Sequence, residues 1–564
     1  MRRYTVGLEI GSALPTNLRM KQTMRNTLTL PLALCALLCL AGWAVAAAPA
    51  KTNSLVEPAV ILTPKASPKP RINGAKVFGV RPGHPFLFTV AATGERPMTF
   101  SAKALPATLQ LDSQSGRITG TLKEKGEHVV TLRAQNALGV AERKLKVVCG
   151  PTIGLTPAMG WNSWNCFASA VTAEHVKSAA DAMVQSGLIN HGWSYINIDD
   201  YWEVNHRRTN DLTLQGPMRD AQGWILPNPR FPDMKGLTDY VHGLGLKIGI
   251  YSSPGPWTCG QCVGSWQHEE QDAVQYGAWG FDYLKYDWCS YTSVVTTNRG
   301  QRDFDLATSQ LPYRVMRAAL DKVPRDIMYS LCQYGRANVW EWGAEIGGNS
   351  WRTTGDIQDT WGSLTKIGFQ QAGHEKYAGP GHFNDPDMLI VGKVGWGPKL
   401  HPTRLTPNEQ YTHISLWCLL CSPLLIGCDM TQLDDFTLNL LSNDEVLEVN
   451  QDPLGRQAAR IKQDGSLEVW AKDMEDGSKA VGLFNRGAAE AVVSVNWSEL
   501  GITSAQAASG GAAQNGASTL ITSAQHTGSR RLVRDLWRQK DLGQFKDQFQ
   551  TPVPRHGVVL VRVS

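Results

Sequence analysis

Two aspartates stand in sequence contexts that could support acid–base or nucleophilic chemistry. Asp287 ends an apolar, strand-like run, and Asp356 lies in the polar segment 351–361. They are 69 residues apart, so no single helix or strand can pair them. Two carboxylates that face one glycosidic bond can hydrolyse it, at a separation of about 5–5.5 Å when one of them is a nucleophile. The residues alone also allow a plainer alternative, in which each aspartate caps a helix or pairs with Lys285 or Arg352.

Only a fold that gathers the ends of several strands could bring these aspartates together. Across 151–455, short β-rich runs alternate with amphipathic segments such as 172–186 and 234–242, which is typical of a parallel sheet. Nearly every strand candidate is followed at once by reactive side chains: Asp199 and Asp200, Tyr251, Asp287, Cys332 and Gln333, Asp356, and Asp385 and Asp387. Functional groups after many successive strands indicate a closed (β/α)8 TIM barrel, because an open sheet would concentrate them at one switch point.

Seven short motifs occur in order within this segment. They are TPAMGWNSWN (156–165), INIDDYW (196–202), GLKIGIY (245–251), YLKYDWC (283–289), WRTTGDIQDTW (351–361), FNDPDML (383–389) and NQDPLG (450–455). On these motifs the chain resembles glycoside hydrolase family 27, the family of α-galactosidases and α-N-acetylgalactosaminidases. The resemblance covers 155 to about 460 closely and the C-terminal region more loosely. It implies a catalytic barrel that needs no metal and no organic cofactor.

The resemblance also implies roles for individual residues. Asp287 would be the nucleophile that attacks the anomeric carbon, and Asp356 would be the acid/base. Nine further residues would bind the sugar: Trp164, Asp199, Asp200, Tyr251, Lys285, Gln333, Arg352, Asp387 and Met388. The family pattern also implies a disulfide between Cys259 and Cys289, beside the nucleophile.

Elementary electrostatics favours the same roles for the two aspartates. Lys285 lies two residues before Asp287, so on a strand both side chains point to the same face. A nearby cation favours the ionised carboxylate that a nucleophile needs. Desolvation in a closed pocket should instead keep Asp356 protonated, as a general acid requires.

Two positions depart from the family pattern. Gln333 stands where the family's galactosidases usually carry Glu after the strand-5 cysteine; it can still contact a sugar 2-hydroxyl, but it carries no charge. Ser350 stands near the place where the usual partner of Cys332 would fall. We therefore expect Cys332 to be a free thiol.

Regions of short alternating runs flank the predicted barrel. Residues 72–150 predict a small Ig-like β-sandwich, and the run 105–122 within them resembles Ig-like domains attached to many exported bacterial enzymes. A spacer without a ligand is the simpler interpretation of this domain, and polysaccharide binding is the alternative. Residues 456–564 predict an antiparallel β-sandwich, with a mobile loop over the Ala- and Gly-rich stretch 503–529. The Pro-rich stretch 49–71 predicts an extended linker.

The first residues resemble an export signal. Within 1–48, basic residues precede an apolar run and small residues follow it, so cleavage is expected near Ala46–Ala48. The apolar run is shorter than the roughly 20 residues of a membrane span. Residues 1–19 make the charged region unusually long, and we interpret them as a gene-start artefact. These features predict a soluble protein that is exported to the periplasm or the medium.

The distribution of charge argues against a nucleic-acid partner. Residues 1–48 contribute +4 of the net charge of +5, so the rest of the chain is nearly neutral. Together these features predict an exported, retaining α-galactosidase that acts on α-galactoside oligo- or polysaccharides. An α-N-acetylgalactosaminidase, or another activity of the same family, is the first alternative. A non-catalytic sugar-binding protein on a barrel scaffold is the second.

Overall fold

The computed structural model describes residues 57–207, 210–296, 305–502 and 530–564. The predicted signal peptide, the first part of the predicted linker and the predicted loop 503–529 lie outside these residues. Along the described chain a β domain, a barrel and a second β domain follow one another. No helix of the described residues is long and apolar enough to cross a membrane.

The first domain is a β-sandwich. Its described strands are β1 (Arg71–Ile72), β2 (Val77–Val80), β3 (Pro85–Thr89), β4 (Ala92–Thr93), β5 (Thr99–Lys103), β6 (Leu109–Leu111), β7 (Arg117–Thr121), β8 (Gly126–Asn136) and β9 (Gly139–Cys149). The sheet β2-β9-β8-β5 and the sheet β3-β7-β6 share one hydrophobic core. Along β8, Val130, Leu132 and Ala134 are buried because a strand turns alternate side chains to opposite faces. The predicted Ig-like sandwich is confirmed.

The second domain is a closed barrel of eight parallel strands among the described residues. They are β10 (Met159–Asn162), β11 (Tyr195–Asn197), β12 (Lys247–Ser252), β13 (Tyr283–Asp287), β14 (Met328–Cys332), β15 (Ser350–Arg352), β16 (Phe383–Asp385) and, after the hairpin β17 (Lys393–Val394) and β18 (His401–Pro402), β19 (Leu424–Ile426). Successive strands are neighbours in the sheet, and β19 pairs with β10. A parallel bridge between Leu389 and Ile426 closes the circle, so the predicted TIM barrel is confirmed.

Helices connect these strands, and two more among the described residues follow the last strand. They are α1 (Trp164–Phe167), α2 (Ala173–Gln185), α3 (Met234–Gly243), α4 (Glu269–Trp279), α5 (Tyr291–Val295), α6 (Leu306–Leu320), α7 (Val339–Trp342), α8 (Trp361–Gly368), α9 (Pro407–Leu419), α10 (Asp435–Leu441) and α11 (Asp444–Asn450). Helix α9 begins with a capping box in which the side chains of Thr406 and Glu409 satisfy each other's backbone N–H groups. Its residues from Glu409 onward are buried, because the C-terminal domain packs on it.

The third domain is antiparallel, as predicted. Its described strands are β20 (Ala459–Asp464), β21 (Leu467–Asp473), β22 (Lys479–Asn485), β23 (Ala491–Asn496), β24 (Arg530–Asp535), β25 (Lys540–Lys546), β26 (Gln548–Val553) and β27 (Val558–Val563). The sheet β20-β21-β22-β27-β24-β25 packs with the pair β23-β26 around one apolar core.

The Ig-like domain contacts the amino-terminal end of the barrel. Arg81 Nε donates to Asp326 Oδ1 at 2.7 Å, and Thr89 Oγ1 donates to the carbonyl oxygen of Gly245 at 2.7 Å. Gly245 and Asp326 lie just before β12 and β14, respectively. The carboxyl ends of the strands, at the opposite end of the barrel, remain away from this contact.

The described part of the predicted linker is held against the protein. We call residues 57–70 the strap; they contain no helix or strand. Tyr411 Oη on α9 donates to the carbonyl oxygen of Val60 at 2.8 Å and accepts the N–H of Leu62 at 3.0 Å. Thr63 Oγ1 donates to the carbonyl oxygen of Asn439 on α10 at 3.2 Å. The strap therefore runs along the helices that support the last barrel strand.

Candidate active site

All of the predicted catalytic and sugar-binding residues lie at the carboxyl ends of the barrel strands. In strand order they are Trp164 after β10, Asp199 and Asp200 after β11, Tyr251 in β12, Lys285 and Asp287 in β13, Gln333 after β14, Arg352 in β15 followed by Asp356, and Asp387 and Met388 after β16. Because the strands are parallel, these ends share one face of the barrel. That face is where such barrels carry their active sites.

Both carboxylate oxygens of Asp287 accept hydrogen bonds from tyrosine hydroxyls. Tyr334 Oη donates to Oδ1 at 2.6 Å, and Tyr251 Oη donates to Oδ2 at 3.1 Å. Asp287 is 5% exposed, and this burial raises the pKa of its carboxyl, although Lys285 and Tyr334 act to lower it. The expected effect of the cation is present, but desolvation outweighs it.

Lys285 forms an ion pair with Asp199. Its Nζ donates to Asp199 Oδ2 at 2.8 Å, and Asn162 Nδ2 donates to the same oxygen at 2.9 Å. The other oxygen of Asp199 accepts the backbone N–H of Asp200 at 2.9 Å. Burial would lower the pKa of Lys285, but Asp199 and Asp287 raise it well above its ordinary value, so the ammonium stays charged.

Arg352 bridges two carboxylates. Its Nη2 donates to Asp356 Oδ1 at 2.9 Å, and its Nη1 lies 2.9 Å from Asp387 Oδ1. The Asp356 side chain is 60% exposed. Burial would raise the pKa of Asp356, but Arg352 and Lys285 outweigh it and lower the pKa. The expectation that desolvation keeps Asp356 protonated is therefore wrong, because a guanidinium is bonded directly to this carboxylate and lowers its pKa.

Asp387 is the more buried partner of Arg352. Its Oδ2 accepts the backbone N–H of Ile357 at 2.8 Å, so it also holds the turn that follows Asp356. Burial raises the pKa of Asp387 to about 6, and the carboxylates of Asp356 and Asp385 add to that shift. Asp387 thereby fixes both Arg352 and the loop that carries the predicted acid/base.

Asp200 lies beneath the loop that carries Cys259. Its Oδ1 accepts Thr258 Oγ1 at 2.8 Å, and its Oδ2 accepts the backbone N–H of Gly260 at 2.6 Å. Burial raises the pKa of Asp200 to about 7. Protein donors thus engage both oxygens of this carboxyl.

Three predicted residues lie in the wall of the site without a described hydrogen bond to either catalytic candidate. Trp164 stacks on Tyr201 with a centroid distance of 6.4 Å and an interplanar angle of 15°. Gln333 is 1% exposed; its amide oxygen accepts the backbone N–H of Arg336 at 2.6 Å, and its buried Nε2 has no partner among the described residues. Met388 is buried. Gln333 thus braces a turn.

A disulfide joins Cys259 and Cys289 beside the nucleophile candidate, as the family resemblance implied. Tyr251 Oη lies 3.2 Å from Cys289 Sγ, and Tyr334 Oη lies 3.7 Å from Cys259 Sγ. Cys332 is a buried free thiol, as expected. The disulfide therefore contacts both tyrosines that hold the Asp287 carboxylate.

The sequence analysis missed two residues of the site. Tyr334 follows Gln333 directly in the sequence. Its position next to a candidate sugar-binding residue is the one feature that could have indicated a role in the site. Glu203 follows the motif that ends at Trp202; it is fully buried, and no side-chain donor among the described residues is bonded to its carboxylate. Burial raises the pKa of Glu203 well above its ordinary value, which favours the protonated form.

Two groups of potential metal ligands occur among the described residues: Asp200 with Glu203 and Cys262, and Asp287 with Cys259 and Cys289. In the first group, burial raises the pKa of all three side chains, so a metal bound there would have to displace their protons. In the second group, both sulfurs are committed to the disulfide. We assign no metal role to either group.

Family models match each part of the chain. The model for α-galactosidase A matches residues 156–452. The model for the α-galactosidase C-terminal β-sandwich domain matches residues 464–563. A model for Ig domains matches residues 69–148. These ranges follow the barrel and the two β domains.

Curated proteins and solved structures match as well. α-Galactosidase 2 of Arabidopsis thaliana is 45% identical over 355 residues, which cover 62% of this chain and 81% of that protein. The α-galactosidase of Cyamopsis tetragonoloba is 43% identical and covers 62% and 77%, respectively. The structure of α-galactosidase I from Mortierella vinacea superposes with a TM-score of 0.61 at 31% identity, covering 73% of this chain and 97% of that one. The chain therefore belongs to the α-galactosidases, glycoside hydrolase family 27.

Proposed function

We propose that this protein hydrolyses terminal α-linked D-galactose from oligo- or polysaccharides with retention of anomeric configuration. The observation that carries the proposal is the buried carboxylate of Asp287, held at the barrel mouth near Asp356 in a chain of this family. Curated relatives named α-galactosidase support the substrate class. A Saccharomyces cerevisiae α-galactosidase has also been solved with raffinose.

In the first step, a carboxylate oxygen of Asp287 attacks the anomeric carbon and forms a covalent ester with the sugar. The bond between that carbon and the leaving oxygen breaks, and Asp356 gives its proton to the leaving oxygen. Burial raises the pKa of Asp287, which strengthens it as a base and a nucleophile while Lys285 favours its ionised form.

In the second step, water attacks the same carbon from the opposite side. Asp356 takes a proton from that water, the ester bond breaks, and Asp287 leaves as a carboxylate. The contact of Asp356 with Arg352 favours the ionised base that this step needs. A bound sugar that excludes water from the exposed face of Asp356 would raise its pKa and favour the acid form needed in the first step.

Sugar hydroxyls would be bound by the charged residues around the nucleophile. Asp199 and Asp200 offer carboxylate oxygens as acceptors for the primary and the 4-hydroxyl, and Lys285 and Arg352 offer donors. The ion pair of Lys285 with Asp199 and the contact of Arg352 with Asp387 fix these groups before the substrate binds. Preorganised groups of this kind keep their orientation through the reaction.

The test is a substrate panel with analysis of the product. We expect cleavage of nitrophenyl α-galactoside and raffinose, and proton NMR should detect α-galactose as the first product. The matched comparison is nitrophenyl N-acetyl-α-galactosaminide, which differs only at the 2-position. Faster cleavage of this acetamido sugar would overturn the assignment of substrate, and β-galactose as the first product would overturn the retaining mechanism.

A further inference from the structure

Tyr334 makes the shorter of the two hydrogen bonds to the nucleophile candidate. Its Oη lies 2.6 Å from Asp287 Oδ1, whereas Tyr251 Oη lies 3.1 Å from Oδ2. Charge-assisted O–H···O⁻ bonds fall at about 2.5–2.7 Å, so the Tyr334 bond has the length of a strong one and the Tyr251 bond does not. The two oxygens of the carboxylate are therefore held unequally.

The backbone at Tyr334 has an unusual conformation that accompanies this contact. Tyr334 has φ +64° and Gly335 has φ +82°, so two consecutive residues occupy the left-handed region. That conformation is unfavourable for a bulky side chain, and such residues cluster at functional sites. A Cβ on Gly335 would lie 2.3 Å from the carbonyl oxygen of Thr353, so only glycine fits there. The Gln333 amide braces the same turn through the N–H of Arg336.

The ring of Tyr334 is fixed from two further sides. The disulfide lies against its hydroxyl, with Cys259 Sγ at 3.7 Å. The guanidinium carbon of Arg352 lies 5.9 Å from the ring centroid, within the range of a cation–π contact. The hydroxyl thus has one well-defined position, which is next to Asp287 Oδ1.

We propose that Tyr334 is a positioning residue for the nucleophile: its hydroxyl holds Asp287 Oδ1 and leaves Oδ2 to attack the anomeric carbon. The inference rests on the proposed function, because it takes Asp287 as the nucleophile. An oxygen that accepts a short, charge-assisted bond is the less nucleophilic of the two. The weaker bond from Tyr251 leaves the second oxygen freer to form the ester.

The charge of Asp287 depends on several groups around it. Those facing it are Lys285 on its own strand, Tyr251 on β12, Cys332 on β14, Tyr334 and Asp356 in the loops after β14 and β15, and Asp199 after β11. Lys285 and the Tyr334 hydroxyl favour the carboxylate, whereas burial and the neighbouring carboxylates favour the acid. Loss of the hydroxyl should therefore raise the pKa of Asp287 further. When the pH is lowered, the nucleophile would then become protonated at a higher pH than in the wild type.

The experiment is Tyr334→Phe in the full chain, which removes the hydroxyl and keeps the ring. We expect kcat on nitrophenyl α-galactoside to fall roughly 10- to 100-fold, as for the loss of a hydrogen bond to a charged group, with KM changed less than about twofold. The acid limb of the kcat/KM profile should move to higher pH. A purely structural role would not move this limb.

The matched control is Tyr240→Phe. Tyr240 is an exposed tyrosine whose hydroxyl also donates to an aspartate, Asp181, at 2.5 Å. It lies on α3, outside the described site, so kcat and the pH profile should stay at their wild-type values.

Two results would overturn the inference: a kcat for Tyr334→Phe within twofold of wild type, or an acid limb that stays in place. Asp287→Ala separates this outcome from a failure of the proposed function. An inactive Asp287→Ala beside an unaffected Tyr334→Phe refutes only the role of the hydroxyl. An active Asp287→Ala refutes the nucleophile assignment itself.

Discussion

Strand β13 has an aspartate at each end, and the pKa values of the two are shifted in opposite directions. Asp282, just before the strand, accepts Arg325 Nη2 at 2.6 Å and lies 2.8 Å from His242 Nε2. Burial would raise the pKa of Asp282, but His242 and Arg325 outweigh it and lower the pKa. Asp287, the last residue of the strand, is also buried, yet its pKa is raised.

The difference lies in what is bonded directly to each carboxylate. Asp282 is bonded to a guanidinium, whereas Asp287 is bonded to two neutral tyrosine hydroxyls. The cation closest to it in sequence, Lys285, is directed to Asp199. Burial alone therefore does not decide the direction of the pKa shift: at Asp282 two directly bonded basic side chains outweigh it, whereas at Asp287 two phenols and a lysine bonded elsewhere do not. At the amino-terminal end of β13, the neutralised end, the Asp282 carboxylate is part of an ion pair. At the carboxyl-terminal end, the reactive end, the Asp287 carboxylate is bonded only to neutral hydroxyls.

The largest expected effect is on the reactive end. We expect Asp287→Ala to lower kcat roughly 10⁴-fold, as for the removal of a nucleophile that acts with a partner group. The melting temperature should be unchanged or higher, because the substitution removes a buried carboxylate. Steady-state kinetics on nitrophenyl α-galactoside and a thermal melt measure the two effects.

Asp356→Ala provides the matched control for that variant. It should keep most of its kcat/KM on nitrophenyl α-galactoside, whose leaving group needs little protonation, while its kcat falls because the second step loses its base. On raffinose kcat/KM should fall roughly 10²–10⁴-fold. Azide should restore Asp287→Ala and give a β-galactosyl azide, since the small anion then attacks from the vacated side. Full activity of Asp287→Ala without azide would contradict the comparison.

The second expected effect is on the neutralised end. Arg325→Ala leaves Asp282 buried without its guanidinium, so we expect the free energy of unfolding to fall by about 3 kcal/mol. The kcat of the folded protein should change little, because the substitution lies at the opposite end of the barrel. Denaturant unfolding and kinetics at low temperature would measure both.

Arg314→Ala is the matched control for Arg325→Ala. Arg314 pairs with Glu345 at the surface, where both side chains are largely exposed, and its loss should change stability by less than about 0.5 kcal/mol. An equal loss of unfolding free energy in the two variants would show that the buried ion pair of Asp282 stabilises the protein no more than a surface ion pair does.

The smallest expected effect concerns a third buried carboxyl, which extends the comparison of Asp282 with Asp287. No cation and no side-chain donor among the described residues is bonded to the oxygens of Glu203, and burial raises the pKa of its carboxyl, so we expect it to be protonated at pH 7. Glu203→Gln preserves its shape and neutrality, so the free energy of unfolding at pH 7 should change by less than about 1 kcal/mol. A loss of several kcal/mol in denaturant unfolding would show that Glu203 is ionised and compensated by a group outside the described residues.

The sequence predicts which residues lie together at the barrel mouth. It does not predict the hydrogen bonds between their side chains or the pKa shifts that these bonds cause. Strand-end positions placed Asp287 and Asp356 at one face, because parallel strands share their carboxyl ends. The pKa of Asp356 is lowered where the sequence predicts that burial favours the acid, because its bond to Arg352 depends on side-chain geometry that spacing does not encode. Tyr334 was missed for a similar reason, since its hydroxyl reaches Asp287 only through a left-handed turn.

The strap has a consequence for the order in which the chain can fold during synthesis. Its contacts span the sequence from Leu62 to Tyr411 and from Thr63 to Asn439. Contacts between residues so far apart form only after the later partner has been made. The strap precedes every described element and yet must wait for α9 and α10 before it can dock. The first described residues to leave the ribosome are thus among the last to reach their final place.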